Sequence, residues 1–123
     1  MNELFSNRAT VLAKAVRLVE SGGLTVLDHD CEAGGHRLDL VAVTSGGTLV
    51  VIEVTVAERD AVRAEAANIA IGRLLELLHA GAAWMYDHDG DYNDFRVDSV
   101  VFSPDGSGEV IPWHGQRSTG DAQ

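Results

Sequence analysis

Two strand-like runs, residues 36–44 and 48–56, constrain the fold more than any other part of the chain. They read HRLDLVAVT and TLVVIEVTV and are rich in the β-branched and apolar residues that favour strands. Only Ser45-Gly46-Gly47 separates them, a spacing typical of a β-hairpin with a three-residue loop that contains glycine. Apolar residues on both faces of the second run predict a strand inside the sheet, covered on both sides.

Each run of this hairpin carries one carboxylate, Asp39 or Glu53. The three-residue loop sets a register that places Asp39 directly opposite Glu53, where Cβ atoms lie about 5 Å apart and like charges repel. Because strand side chains alternate, Arg37 and Thr55 are expected on the same face as the two carboxylates. A lone buried carboxylate is costly, so the pair needs a counter-charge.

Two counter-charges are compatible with this pattern. A divalent cation such as Mg²⁺ or Mn²⁺ prefers hard oxygen ligands, and Asp39 and Glu53 would be its ligands. Arg37, two residues before Asp39, is the expected neutralising partner if no metal binds. Both alternatives stay open at the level of the sequence.

The remaining pattern predicts two helices and four further strands. The helices are expected at 3–20 and 58–81, where apolar residues recur at helical spacing. The strands are expected at 24–28, 83–87, 95–102 and 109–113. This order predicts an α/β protein in which the helices pack against one sheet.

The charge balance disfavours nucleic acid as a partner. The chain has 19 acidic and 9 basic residues, a formal net charge of −10, and Lys14 is its single lysine. Proteins that track phosphates normally carry a basic stripe, and no such stripe is visible in the sequence. The single Cys31 excludes an internal disulfide, and neither a signal peptide nor an apolar run near the ~20 residues of a membrane span is present. We therefore expect a cytoplasmic protein with no membrane partner.

Two other polar clusters fit metal sites poorly. His29, Cys31 and His36 lack the ligand spacing of a zinc site. The acidic stretch 87–94 lacks the glycine and the glutamate that a calcium loop requires at its sixth and twelfth positions. We expect this acidic stretch to be a solvated loop.

The hairpin resembles the central hairpin of the YraN-like proteins, within the PD-(D/E)XK restriction-endonuclease-like superfamily. In that family the two strands read roughly G-E-I-D-L-I-A and V-F-V-E-V-K, so Asp39 matches the aspartate and Glu53 the glutamate. The stretches GLTVLDHD and FRVDSVVF are similar to the strands on either side. The resemblance covers approximately residues 8–115. It implies a restriction-endonuclease-like core, a central mixed β-sheet flanked by helices. The chain length predicts a single domain over 1–115. The polar tail at 116–123 is expected to be disordered.

The resemblance also implies a role for each residue of the hairpin. In active nucleases of this type two carboxylates hold the metal, here Asp39 and Glu53, while a lysine orients water or stabilises the developing charge. Thr55 stands where the family has that lysine, and Arg37 stands where it has a glutamate. Lys14 of the first helix is the residue that would replace the missing lysine.

These departures favour a divergent, catalytically impaired nuclease-fold domain that acts through contacts with a protein partner or a second copy of itself. The alternative is a metal-dependent nuclease that cleaves DNA with Asp39 and Glu53 as metal ligands, using Mg²⁺ or Mn²⁺ and assisted by Thr55 or Lys14. A third possibility, an acidic partner for a basic protein, follows from the net charge alone.

Overall fold

A five-stranded mixed sheet with one helix against each face forms the described part of the protein. The structure is a computed structural model that describes residues 7–57 and 69–112. In chain order its elements are α1 (Arg8–Ser21), β1 (Thr25–Ala33), β2 (His36–Val43), β3 (Thr48–Val56), α2 (Ile71–Asp87), β4 (Asp94–Phe102) and β5 (Gly108–Pro112). The expected α/β class, with a central mixed sheet flanked by helices, is confirmed.

The strands lie side by side in the same order as they occur in the chain, β1-β2-β3-β4-β5. Neighbouring strands are antiparallel except β3 and β4, which are parallel and are connected through α2. A parallel pair requires such a crossover because a tight turn reverses the chain direction. β3 therefore occupies the centre of the sheet, as its apolar composition predicts.

Helix α1 covers one face of the sheet through a single apolar stripe. Val11, Leu12, Ala15 and Val19 are buried against even-numbered residues of β3 and β4, among them Ile52. The side chain of Asn7 accepts a hydrogen bond from the N–H of Ala9 at 2.8 Å and caps the start of the helix. These contacts position the first turn of α1 over the end of the central hairpin.

Helix α2 covers the opposite face. Its buried residues, Leu74, Leu77, Ala80, Gly81 and Trp84, pack on odd-numbered residues of β3 and β4 and on Leu38 and Val41 of β2. The buried indole of Trp84 also donates a hydrogen bond to Asp28 of β1 at 3.0 Å. No helix in the two described ranges is long and apolar enough to cross a membrane.

Two strands predicted from the sequence need correction. The strand expected at 83–87 is wrong, because α2 continues to Asp87 and buries Trp84 on its core side. The strand expected at 24–28 extends to Ala33 and forms a second hairpin with β2. The predicted helical segment over 58–68 and the predicted tail over 116–123 lie outside the described residues.

Candidate carboxylate site

The register of the central hairpin agrees with the prediction as far as the ladder extends. Leu40 pairs with Ile52 and Val43 with Leu49, and the N–H of Thr44 donates to the carbonyl of Thr48 at 2.9 Å. This regular pairing stops at Leu40, one residue before Asp39. Asp39 and Glu53 therefore lie where β2 and β3 cease to follow a standard antiparallel ladder.

Side-chain alternation in β2 is interrupted at Asp39. Leu38 packs in the core under α2 and Leu40 in the core under α1, although residues two apart on a regular strand share a face. The neighbouring strand β1 is also irregular, since Asp30 has a positive φ of 49°. The expectation that alternation keeps Asp39 and Glu53 on one face is wrong for this reason.

Asp39 is buried and bound from the α1 side. Its Oδ1 forms an ion pair with Nη2 of Arg8, and its Oδ2 accepts a hydrogen bond from the N–H of Val54 at 2.8 Å. The carboxylate thus accepts a hydrogen bond from an N–H group of β3 beyond the point where the regular ladder with β2 ends. Both of its oxygens have partners.

Glu53 is bound from the α2 side by Arg73. The Nε and Nη2 atoms of Arg73 donate to the two carboxylate oxygens of Glu53, each at 3.0 Å, which is a bidentate pair. Nη2 also donates to the carbonyl oxygen of Arg37 at 2.8 Å, and Nη1 donates to Glu76 at 3.0 Å. Hydrogen bonding to Glu53 raises the pKa of the Arg73 guanidinium. Arg73 therefore ties α2 to both β2 and β3.

Arg37 does not neutralise the carboxylate pair, which corrects the prediction made from the sequence. Its side chain pairs with Asp30 of β1 at 2.6 Å, and both side chains are exposed. Hydrogen bonding between them lowers the pKa of Asp30 and raises that of Arg37. Arg37 contacts the site through its carbonyl oxygen, which accepts from Arg73, and its guanidinium acts on Asp39 through a weaker charge interaction.

The structure places Thr55 near Glu53 and keeps Lys14 apart from it. Thr55 follows Glu53 by two residues on the regular strand β3, so both side chains are on the α2 face. Lys14 lines a shallow pocket with Leu18 and Phe102 beside the β4–β5 turn, on the α1 face. The sheet therefore separates Lys14 from Glu53.

Sequence reasoning missed the two arginines that bind the carboxylates. Arg8 precedes the buried stripe of α1, with Leu12, Ala15 and Val19 following at spacings of four, seven and eleven residues. Arg73 precedes the buried stripe of α2 in the same way, before Leu77, Ala80 and Trp84. An arginine at the first position of an apolar helical stripe points toward the sheet, and this spacing is the signal that could have identified both residues.

A third carboxylate in the sheet is also paired with arginine. Asp98 of β4 is fully buried beside Ile52, and Arg96 donates to it from Nε and Nη2 at 3.1 Å each. These two residues belong to FRVDSVVF, one of the stretches that resemble strands of the YraN-like proteins. Arginine is thus the counter-charge of Asp39, Glu53 and Asp98 alike.

The side chains at this site do not fit a divalent cation in the arrangement that they have. Within 7–57 and 69–112, no group of three or more His, Cys, Asp or Glu side chains is arranged so that it could hold a metal ion. The oxygens of Asp39 and Glu53 are all engaged, and the two carboxylates bind guanidinium groups from opposite faces of the sheet. A metal would have to displace Arg73 or Arg8 to bind either one.

Comparison with known proteins identifies the family. The profile of the family described as "Uncharacterised protein family UPF0102" matches residues 13–102, which is most of the chain. The chain belongs to the UPF0102 family. A UPF0102 protein of Arthrobacter sp. (strain FB24) is 28% identical over 107 residues, covering 87% of this chain and 88% of that relative. The UPF0102 match extends from α1 to the end of β4 and contains Arg73 and both carboxylates of the central hairpin, whereas Arg8 lies before it. This membership confirms the YraN-like family inferred from that hairpin.

Proposed function

We propose that this UPF0102 protein is a non-catalytic, divergent member of the nuclease-fold group and that it acts through contacts with another protein. The observation that carries the proposal is the bidentate pair between Arg73 and Glu53. It puts a tethered cation on the carboxylate that would otherwise hold the metal.

Metal-dependent cleavage of a phosphodiester requires carboxylate oxygens that are free to bind the ion. A divalent ion at Glu53 would have to separate it from Arg73, whose side chain is only 27% exposed. Separation would leave the partly buried guanidinium with Glu76 as its remaining carboxylate partner, and losing the partner of a partly buried charge costs stability. The same argument applies to Asp39, which would have to give up both Arg8 and the N–H of Val54.

The residue beside Glu53 also supports a non-catalytic role. Thr55 has a neutral hydroxyl where the related nucleases carry a lysine, so it supplies no positive charge to a developing phosphorane. Lys14 lies on the other face of the sheet and does not make up for it. In addition, the net charge of −10 repels a polyanionic substrate.

The test is a cleavage assay on linear, branched and single-stranded DNA in Mg²⁺ and in Mn²⁺. We expect the parent protein to cleave none of these substrates faster than the Asp39→Asn and Glu53→Gln variants. Glu76→Gln is the matched control, because it also removes a carboxylate that binds Arg73 but leaves the pair with Glu53. Cleavage by the parent and by Glu76→Gln that disappears in Asp39→Asn and Glu53→Gln would instead establish a metal-dependent nuclease.

A further inference from the structure

Helix α2 exposes a continuous apolar stripe on the side that faces away from the sheet. Its large members are Ile71, Leu75, Leu78 and Tyr86, which are 68%, 59%, 38% and 92% exposed. Ala82 is also exposed, and we define the α2 stripe as Ile71, Leu75, Leu78, Ala82 and Tyr86. Spacings of four and three residues place all five side chains on one side of the helix.

This stripe is separate from the core side of α2. The buried residues of the helix, such as Leu77 and Trp84, point to the sheet and leave the stripe on the outer side. An α-helix that is apolar on both sides is normally buried on both sides. In the described structure only one side is covered, so the outer stripe has the character of a binding surface.

The size of the stripe argues against a second copy of this chain as its occupant. From Ile71 to Tyr86 the stripe is about 22 Å long and one helix wide. Obligate homodimers bury about 2,000–5,000 Å² in total, which is more than a strip of this size provides, whereas transient complexes bury less than about 1,200 Å². Two copies would also bring together two chains of net charge −10.

Charge identifies the kind of partner that the stripe fits. At its carboxyl end the stripe is followed by an exposed acidic segment, in which Asp87 ends α2 and Asp89 and Asp91 lie in the loop after it. None of these three carboxylates forms an ion pair with another residue of the described ranges. A partner that covers the stripe and also neutralises this loop must be apolar along one side and positively charged at one end.

We propose that the α2 stripe docks an amphipathic helix of a partner protein, with its apolar side on Leu75 and Leu78 and its basic residues against the loop at 87–91. Such helix-on-helix recognition uses anchors at i, i+4 and i+7, the spacing of Ile71, Leu75 and Leu78. This inference rests on the proposed function, because it names the partner through which a non-catalytic domain would act.

The test titrates the full-length protein with a synthetic amphipathic peptide of about 18 residues that has leucines along one side and lysines clustered at one end. We expect this peptide to bind, and we expect glutamates in place of its lysines to weaken binding. Raising NaCl to about 0.5 M should weaken it as well, since salt screens the acidic loop. The readout is calorimetry combined with NMR mapping of the contacted residues.

Matched leucine variants localise the contact. Leu75→Ser should weaken binding about tenfold or more, because burial of one leucine side chain contributes on that scale. Leu27→Ser is the control, since Leu27 is as exposed as Leu78, at 39% against 38%, but lies on β1. Binding of the peptide to the Leu27→Ser variant should equal binding to the parent.

Several outcomes would overturn the proposal. Equal binding to parent and Leu75→Ser would place the peptide elsewhere. A clear fall in Tm for Leu75→Ser would mean that part of this chain covers the stripe, and a parent dimer that Leu75→Ser dissociates would mean that a second copy does. DNA cleavage with peptide binding intact would refute the non-catalytic function alone, whereas absence of both activities would refute the docking surface alone.

Discussion

Replacing Arg73 by alanine removes the cation that binds Glu53. The change also deletes the hydrogen bonds to the carbonyl of Arg37 and to Glu76, so one substitution detaches α2 from the end of the central hairpin. Glu53 then keeps its charge on a half-buried face with no arginine beside it. We expect the variant to fold and to be less stable than the parent.

The size of this effect follows from how deeply the pair is buried. Exposed ion pairs contribute about 0–1 kcal/mol, whereas removing one partner of a fully buried pair costs about 3–5 kcal/mol. The side chains of Arg73 and Glu53 are 27% and 22% exposed, between those two limits. We therefore expect a loss of about 2 kcal/mol in the free energy of unfolding, which for a domain of this size lowers Tm by about 8 °C.

The assay is thermal unfolding of the parent, of Arg73→Ala and of Arg73→Ala combined with Glu53→Gln. Because the second substitution removes the unpaired charge, the double variant should recover part of the lost stability. Arg37→Ala serves as the control and should leave Tm nearly unchanged, since the Arg37–Asp30 pair is exposed. An Arg73→Ala protein as stable as the parent, or a large loss in Arg37→Ala, would refute the assignment of Arg73 as the counter-charge.

Three further predictions follow from other parts of the fold. Burial, with a contribution from the charge of Asp28, raises the pKa of Cys31 from 9.0 to about 12. The thiolate fraction of Cys31 near pH 8 therefore falls about a thousandfold, and Ellman's reagent should react with this thiol much faster after unfolding in urea. Burial acts to raise the pKa of Asp28, but its hydrogen bonds, first that from Trp84, hold that pKa below its usual value. The stability that the Asp28 carboxylate contributes is therefore present above its unfolded-state pKa and lost as the pH falls through its folded-state pKa. On acidification from about pH 5 to pH 3, the Tm of Asp28→Asn should fall by less than the Tm of the parent. Gly34 and Gly35 have positive φ values of 61° and 82°. Gly34→Ala should therefore lower the free energy of unfolding, measured by chemical unfolding, by about 1–2 kcal/mol. Gly35→Asn should lower it by less, because the space around Gly35 is open and asparagine tolerates this conformation.

The hairpin could be predicted from sequence because its signals are local. Alternating apolar residues and the loop at 45–47 determine the register, and the structure has that register from Leu40 to Val43. The β1–β2 hairpin also had a local signal, since the pair Gly34-Gly35 favours a two-residue turn with positive φ, but that signal was missed. The strand expected at 83–87 failed because burial of Trp84 under the sheet favours continuation of the helix.

The partners of the carboxylates were harder to predict because they are distant in sequence. Arg8 is 31 residues from Asp39, and Arg73 is 20 residues from Glu53. Pairing between strands does not determine which helical residue contacts each carboxylate. Arg37 was predicted as the partner because it is close to Asp39 in sequence. The break in alternation at Asp39 likewise depends on tertiary contacts, here those of Asp39 with Arg8 and Val54.

The most direct test of arginine as the counter-charge in place of a metal is the effect of Mn²⁺ on the parent and on Arg73→Ala. An ion at one hundred times its Kd would stabilise a competent site by about 2.7 kcal/mol, which is a shift of several degrees in Tm. Arg73 already donates hydrogen bonds to both carboxylate oxygens of Glu53. Millimolar Mn²⁺ should therefore leave the Tm of the parent almost unchanged and should partly restore the Tm of Arg73→Ala. A shift of several degrees in the parent, with no additional rescue of Arg73→Ala, would show that Glu53 holds a metal and that the proposed role of Arg73 is wrong.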